Sequence, residues 1–355
     1  MGVCLDWGLK LGEFCCDGSQ LFVGWWASGF MPKSLSNAYV IGSTLGVTYA
    51  LQVVSGLVLT LHYVGTFIGL IEYGRDVVDG TLMRYMHANG ASLFLFLMFA
   101  HVARGVYYNS SNKKHLWVSG VVMLLLSMGA AFLGYVLPYG QMSYWGATVM
   151  MNLVSVFSSF LVVLLWGGWV VSEYTLTRFY TLHFLLPLAL GALVGGHLLL
   201  LHKTGGSSLS YSWVKVGFFS LYFVKDLFMW ALAGTIFYAM VFLAPNLLGD
   251  AENYIAANSM VTPVHIKPEW YFLFAYGMLR CMPNKAMGVL ALVAAVALPV
   301  IYVIGSSTVT MVTFSLIASS FSLLTVCGGM PVATSIYHSS QALSESYFTL
   351  MVGLA

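Results

Sequence analysis

Charge is what this sequence has least of: Asp, Glu, Lys and Arg together make up 7% of its 355 residues, against roughly 25% in an ordinary soluble domain. So few charges cannot cover a water-facing surface, which excludes a soluble globular chain. The formal net charge is only +2, and the basic residues are dispersed, which excludes a nucleic-acid partner. Cysteine is scarce as well. Cys4, Cys15, Cys16, Cys281 and Cys327 form no C-x-x-C-H, so thioether attachment of a haem is excluded and packing is left as their role. The start, MGVCLDWGLKLGEFCCDG, carries acidic residues and lacks the basic, apolar, small-residue order of a cleaved signal, so neither a signal nor a transit peptide is expected. Either the protein is made beside its membrane or its first span suffices for insertion.

What the chain has in abundance is apolar length. Hydrophobic residues make up 59% of it, and runs near the roughly 20 residues that cross a bilayer fall at 38–63, 82–107, 116–136, 176–201, 227–248, 287–304 and 308–326. An eighth run, 336–353, carries His338, Gln341 and Glu345 and is weaker on hydropathy. The segment 153–171 is also apolar. Laid along the interface, it leaves Lys10, Lys33, Lys113, Lys114, Lys203, Lys215 and Lys225 on one side of the membrane; a crossing there would split them, against the positive-inside rule. The fold class expected is therefore all-α: a polytopic transmembrane helical bundle of about eight spans. A division into 1–205, a four-helix core with an interfacial helix after the third span, and 206–355 is expected with it.

Two of these runs each carry histidines fourteen residues apart: His87 and His101, and His183 and His197. Fourteen helical residues rise about 21 Å and fall about 40° short of four turns, so both imidazoles of a helix look the same way. Two such helices make two sites, each with one histidine from each helix and room for a planar macrocycle with two axial imidazoles. A single intramembrane histidine is as readily a packing residue held by a carbonyl; the repeated interval favours ligands. Zinc would want four convergent ligands at one centre. Gly42 and Gly56, and Gly120 and Gly134, repeat the interval, and glycine lets a bulky group approach a helix backbone, although small residues also serve helix packing in lipid. Arg84, Arg104 and Trp117 sit about a turn from the two levels, placed either to hold acidic groups of a cofactor or, for the arginines, to snorkel.

Four strings add a specific resemblance: RYMHANGAS at 84–92, GYVLPYGQMSYWGATV at 134–149, LTRF at 176–179 and HIKPEWYFLFAY at 265–276. Read in order over about residues 37–340, the chain resembles the cytochrome b family, the haem-carrying subunit of respiratory complex III. GGMPV at 328–332 is similar to the family's lead into its last helix, which supports the eighth span. The resemblance implies two b haems, a low-potential one on His87 and His183 near the positive side and a high-potential one on His101 and His197 near the negative side. The fourteen-residue interval on both helices and the undivided chain resemble the respiratory rather than the photosynthetic branch.

The resemblance further implies a quinol oxidation pocket on the positive side at Phe132, Tyr135, Gly146, Pro268, Glu269, Tyr271 and Tyr276. Glu269 is its acidic residue, with Tyr135 and Tyr276 beside it in catalytic roles. On the residues alone, Glu269 more simply pairs with Lys267 or solvates a loop; with the resemblance, proton acceptance from quinol is expected. A second quinone pocket on the negative side is implied at His202, Phe218, Lys225 and Asp226. Here Lys203, Gly206 and Tyr39 replace the usual acidic residue, serine and tryptophan, and Tyr139 replaces another tryptophan. The connection near 305–307 is shorter than the family's usual loop. The implied setting is ubiquinol–cytochrome c oxidoreductase in the mitochondrial inner membrane, or alternatively a bacterial plasma membrane. The implied partners are a Rieske iron–sulfur protein, a membrane-anchored cytochrome c subunit, a second copy of the chain, and lipid. A polytopic transporter would leave the matched histidine intervals unexplained, and a plain haem shuttle would leave the PEWY string without a purpose.

Overall fold

The structure is a computed structural model that describes residues 30–63, 65–205, 214–303 and 308–353. The expectations for Lys10, Gly206, the first three cysteines and the connection at 305–307 lie outside the described residues. Twelve α-helices carry the described fold: α1 (Ile41–Thr60), α2 (Phe67–Asp76), α3 (Gly80–Tyr107), α4 (Lys114–Val136), α5 (Gln141–Val154), α6 (Ser159–Trp166), α7 (Glu173–Thr204), α8 (Phe223–Tyr238), α9 (Leu273–Arg280), α10 (Lys285–Ala297), α11 (Met311–Gly329) and α12 (Thr334–Gly353). Seven helical stretches are long and apolar enough to cross a membrane: Asn37–Thr60, Gly80–Tyr107, Lys114–Val136, Glu173–Thr204, Phe223–Leu243, Lys285–Tyr302 and Met311–Gly329. They match the seven apolar runs. The eighth, α12, has 20 residues, about 30 Å of helix, which is length enough, but its serines, His338 and Glu345 keep it out of that apolar set.

The apolar segment 153–171 does not form a span. It is divided between the end of α5, a tight turn and α6, whose 14 and 8 residues are about 21 and 12 Å long, short of a hydrocarbon core of about 30 Å. Ser158 caps α6 through the Phe160 N–H at 3.1 Å, and Gly167, at φ +82°, ends it. Local capping therefore breaks what hydropathy alone reads as continuous.

Two helix pairs form the N-terminal core: α1 packs along α3, and α4 along α7. A second group, α9 to α12, packs around a core that includes Met278, Leu324 and Tyr347. Because lipid is as apolar as the helices, close packing and interhelical hydrogen bonds hold such a bundle. One of these bonds ties the two pairs together: the Tyr49 hydroxyl of α1 donates to the Pro187 carbonyl of α7 at 2.7 Å. Space for it comes from Gly191, where a Cβ would lie 2.7 Å from the Tyr49 oxygen.

The loops sort to two ends. At one, β1 (Phe30–Pro32) pairs antiparallel with β2 (Lys215–Gly217), the Lys113 ammonium donates to the last carbonyls of α7, and that of Lys225 donates to the Leu35 carbonyl at 3.1 Å. This gathers most of the lysines of the positive-inside argument. At the other end, the loop after α8 is pinned across the start of α5: Gln141 N–H donates to Ile255 O at 2.9 Å, and Ala257 N–H to Tyr139 O at 3.1 Å. Gly140 is required there, since a Cβ would lie 2.3 Å from the Asn253 carbonyl oxygen.

Candidate functional site

The four intramembrane histidines meet in two pairs, one histidine from α3 and one from α7 in each. His87 faces His183 with ring centroids 6.1 Å apart, and His101 faces His197 at 6.5 Å. Two metal–imidazole bonds of about 2 Å each, with the ring radii added, span roughly this distance. Each pair could therefore hold one haem iron between its two imidazoles.

The outer ring nitrogens support the same reading. The Nδ1 of His87 lies 3.0 Å from Ser55 Oγ, that of His197 2.8 Å from Ser119 Oγ, and that of His183 2.8 Å from the Ala130 carbonyl. With Nδ1 engaged, Nε2 is the nitrogen left for the facing ring, the arrangement in which a second-sphere partner fixes the tautomer of a metal-binding histidine. Sequence reasoning did not single out Ser55, Ser119 or Ala130. A signal for the serines exists: each directly precedes a lattice glycine, in VSG at 54–56 and again at 118–120.

The glycines do something more specific than clear space for flat rings. A Cβ at Gly56 would lie 3.1 Å from His87 Cε1, at Gly42 3.3 Å from His101 Cε1, at Gly120 3.4 Å from His197 Cε1, and at Gly134 2.5 Å from His183 Cε1. Each glycine backs one histidine of the neighbouring helix. Gly56 and Gly134 thus belong to one level, and Gly42 and Gly120 to the other.

The three residues expected to hold acidic groups of a cofactor diverge. Arg104 stays at the His101 level, its Nη2 3.3 Å from His101 Nδ1, with a buried Nε that has no partner among the described residues. An imidazole bound through Nε2 would carry its proton on Nδ1 and could not accept from a guanidinium, so Arg104 would then be free to meet an anionic group of a cofactor. Arg84 lies over the rings of Tyr254 and Tyr85, 5.2 and 5.7 Å from their centroids. The Trp117 indole N–H donates to the Pro299 carbonyl at 2.6 Å, which braces α4 against the turn that follows α10.

Glu269 lies beside the His87–His183 level, because its hydroxyl partner Tyr135 directly follows Gly134. Burial pushes the Glu269 carboxyl up to about 7; the Tyr135 hydrogen bond lowers it, the Asp250 charge raises it, and Lys267 lowers it least. Tyr271 is buried beside it, and burial followed by the Glu269 charge holds its phenol well above the ordinary range. The simple pairing of Glu269 with Lys267 does not occur as an ion pair: Lys267 Nζ lies 3.7 Å from an Asp250 carboxylate oxygen instead. Tyr276 differs too. Its hydroxyl donates to the Ile266 carbonyl at 3.3 Å and its ring carries Arg280 at 5.1 Å, so Tyr135 rather than Tyr276 is the phenol on Glu269. Phe132 packs edge-on against Phe179 at 5.9 Å, Pro268 precedes Glu269, and Gly146 faces open space on α5.

At the opposite end, Asp226 is buried and accepts from Ser43 Oγ at 2.7 Å. Ser43 follows Gly42, which puts the carboxyl beside the His101–His197 level. Lys225 lies over the Tyr222 ring at 5.4 Å, and Phe218 opens the π turn that leads into α8. His202 and Lys203 are exposed on the last turn of α7. The Tyr39 ring meets that of Tyr108 at a tilt, centroids 5.0 Å apart, and carries the Arg104 guanidinium at 5.2 Å.

Two family models match the chain, one described as cytochrome b/b6/petB over residues 26–205 and one as cytochrome b (C-terminal)/b6/petD over residues 256–348. The chain belongs to the cytochrome b family. Among solved structures, a chain of one described as a hyperthermophilic respiratory complex III is 28% identical to this cytochrome b, covers 92% of it and 92% of its own length, and superposes with a TM-score of 0.86. Both halves of the family are joined here in one polypeptide, and seven span-capable helices make it a membrane protein.

Proposed function

We propose that this cytochrome b is the dihaem subunit of a proton-translocating quinol–cytochrome c oxidoreductase. The observation that carries the reading is the meeting of His87 with His183 and of His101 with His197 at two depths of one bundle. Bound there, two b-type haems would supply one-electron carriers between the two faces of the membrane. The chain's own residues do the rest. The first 205 residues hold the haem core, and residues 206–355 complete the quinol pocket.

At the His87–His183 end, Tyr271, Phe132 and the loop at Pro268 wall a pocket in which Glu269 accepts a proton from a quinol hydroxyl. A carboxyl lifted to about 7 is both half-ionised at neutral pH and basic enough for the transfer. Tyr135 keeps it ionisable by donating to it, and the neighbouring Asp250 offers the proton a next acceptor toward the loop surface. Gly146 and Tyr276 line the rim of the same pocket. At the other end, Asp226 and Lys225, with His202 and Phe218, bind quinone and deliver protons as it is reduced. Ubiquinone and ubiquinol fit the family resemblance.

The setting is an energy-conserving membrane, the mitochondrial inner membrane or a bacterial plasma membrane, with the lysine-rich end on its negative side. The partners are a Rieske iron–sulfur protein, a membrane-anchored cytochrome c subunit and a second copy of the chain. The test is a reduced-minus-oxidised spectrum of the purified complex with a haem count per chain, after extraction in acidified organic solvent. Two extractable haems are expected. One haem, or haem that stays with the polypeptide, overturns the proposal.

A further inference from the structure

α12 contains a residue that the haem core and the quinone pockets leave without a purpose. Ser346 Oγ lies 3.3 Å from Ser320 Oγ, and Ser320 is the tenth of the nineteen residues of α11. The Tyr347 hydroxyl donates to Ala295 O at 3.2 Å, and Ala295 is the eleventh residue of the eighteen-residue span Lys285–Tyr302. Two spanning helices thus fix positions 346 and 347 near the middle of the bilayer. Glu345 shares that depth, on the side of α12 turned away from both. It is exposed, and among the described residues it makes neither a hydrogen bond nor an ion pair. The other Asp, Glu, Lys and Arg of the long helices lie among the first or last six residues of their helices, whereas Glu345 is the twelfth of the twenty residues of α12.

An acidic side chain facing hydrocarbon at mid-depth is costly, and membrane proteins tolerate one where it meets a partner. Nothing within the described chain is that partner. The exposed residues His338, Ala342, Glu345 and Thr349 recur at intervals of three and four, which puts them on one helical face. We infer that this face of α12 docks a transmembrane helix of another subunit, and that the helix presents a lysine or arginine to Glu345 at mid-membrane depth. A second copy of this chain fits less well, because a two-fold axis through the face would set Glu345 against its own copy. Ala342, one turn from Glu345, lets the incoming backbone approach.

The inference rests on the proposed membership of a multisubunit complex, and haem content keeps the two apart. In the complex purified in mild detergent, Glu345→Leu and Ala342→Trp are each expected to lower recovery of the same transmembrane subunit at least tenfold. Quantitative mass spectrometry against the cytochrome b chain reads this, with two haems and an unchanged spectrum. Should the Leu variant lose haem, Glu345→Gln keeps the shape and carries the same test. Glu345→Lys is expected to release the subunit too, and exchanging that subunit's basic residue for Glu restores it. Full retention of every subunit in these variants overturns the inference. So does failure of the charge exchange to restore the lost subunit, or a disulfide from Ala342→Cys to a second copy of this chain. Absence of haem from the wild-type complex would instead overturn the proposed function.

Discussion

Replacing Glu269 by Gln tests the proton acceptor directly, and the structure sets the size of the effect. With its carboxyl near 7, Glu269 is ionised to about 10% at pH 6 and about 90% at pH 8, so a rate that needs the base rises about tenfold over that interval. Gln keeps the shape and cannot take the proton. General-base contributions are about a hundredfold or more, so quinol oxidation at pH 8 should fall at least tenfold and its pH dependence flatten. Stability should move the other way. A folded-state value raised from 4.5 to about 7 favours folding fully at low pH, and the contribution is lost as pH rises through 7. At about 1.4 kcal/mol per tenfold change in ionisation, ionised Glu269 costs the fold roughly 3 kcal/mol at pH 8, which Gln relieves. The Tyr135→Phe variant removes the hydrogen bond that lowers the carboxyl, so its rate should rise at higher pH than in the wild type. The assay is pre-steady-state haem reduction by quinol from pH 5.5 to 9, with the opposite pocket blocked and haem content confirmed. Wild-type rates and an unchanged profile in the Gln variant would refute the reasoning and leave Glu269 a loop residue.

Further outcomes can be checked on the same complex. His101→Ala should drop the haem count from two to one, read by spectrum; equal loss of both haems would indicate a folding defect instead. Gly134→Ala forces a Cβ to within 2.5 Å of His183 Cε1, whereas the corresponding distance at Gly120 is 3.4 Å. The first substitution should displace the haem of its level and the second should be tolerated; identical haem content in both would show that the glycines do not set the rings. Tyr49→Phe deletes the hydrogen bond between the two helix pairs, and intramembrane bonds of this kind contribute about 0.6 to 1.7 kcal/mol. Thermal unfolding should shift downward with both haems retained, and an unchanged melting temperature would remove the tie from the account.

The sequence by itself determined what periodicity and composition encode. Long apolar runs set seven spans, because a bilayer imposes length on helices; the fourteen-residue interval set two histidine levels, because helical rise and twist are fixed. Segment 153–171 was legible only through charge placement, since its break depends on the Ser158 cap and Gly167, which hydropathy averages away. Contacts across the bundle were beyond periodicity. Tyr135 on Glu269, Ser43 on Asp226 and Tyr49 on Pro187 join residues far apart in the chain, and only helix packing decides which side chain arrives. Trp117 shows the same limit, since its distance from a histidine level was readable but its donor's acceptor, Pro299, comes from another helix. The tertiary structure alone assigned each glycine to its histidine and turned Glu345 outward, because facing direction is settled by neighbours rather than by spacing.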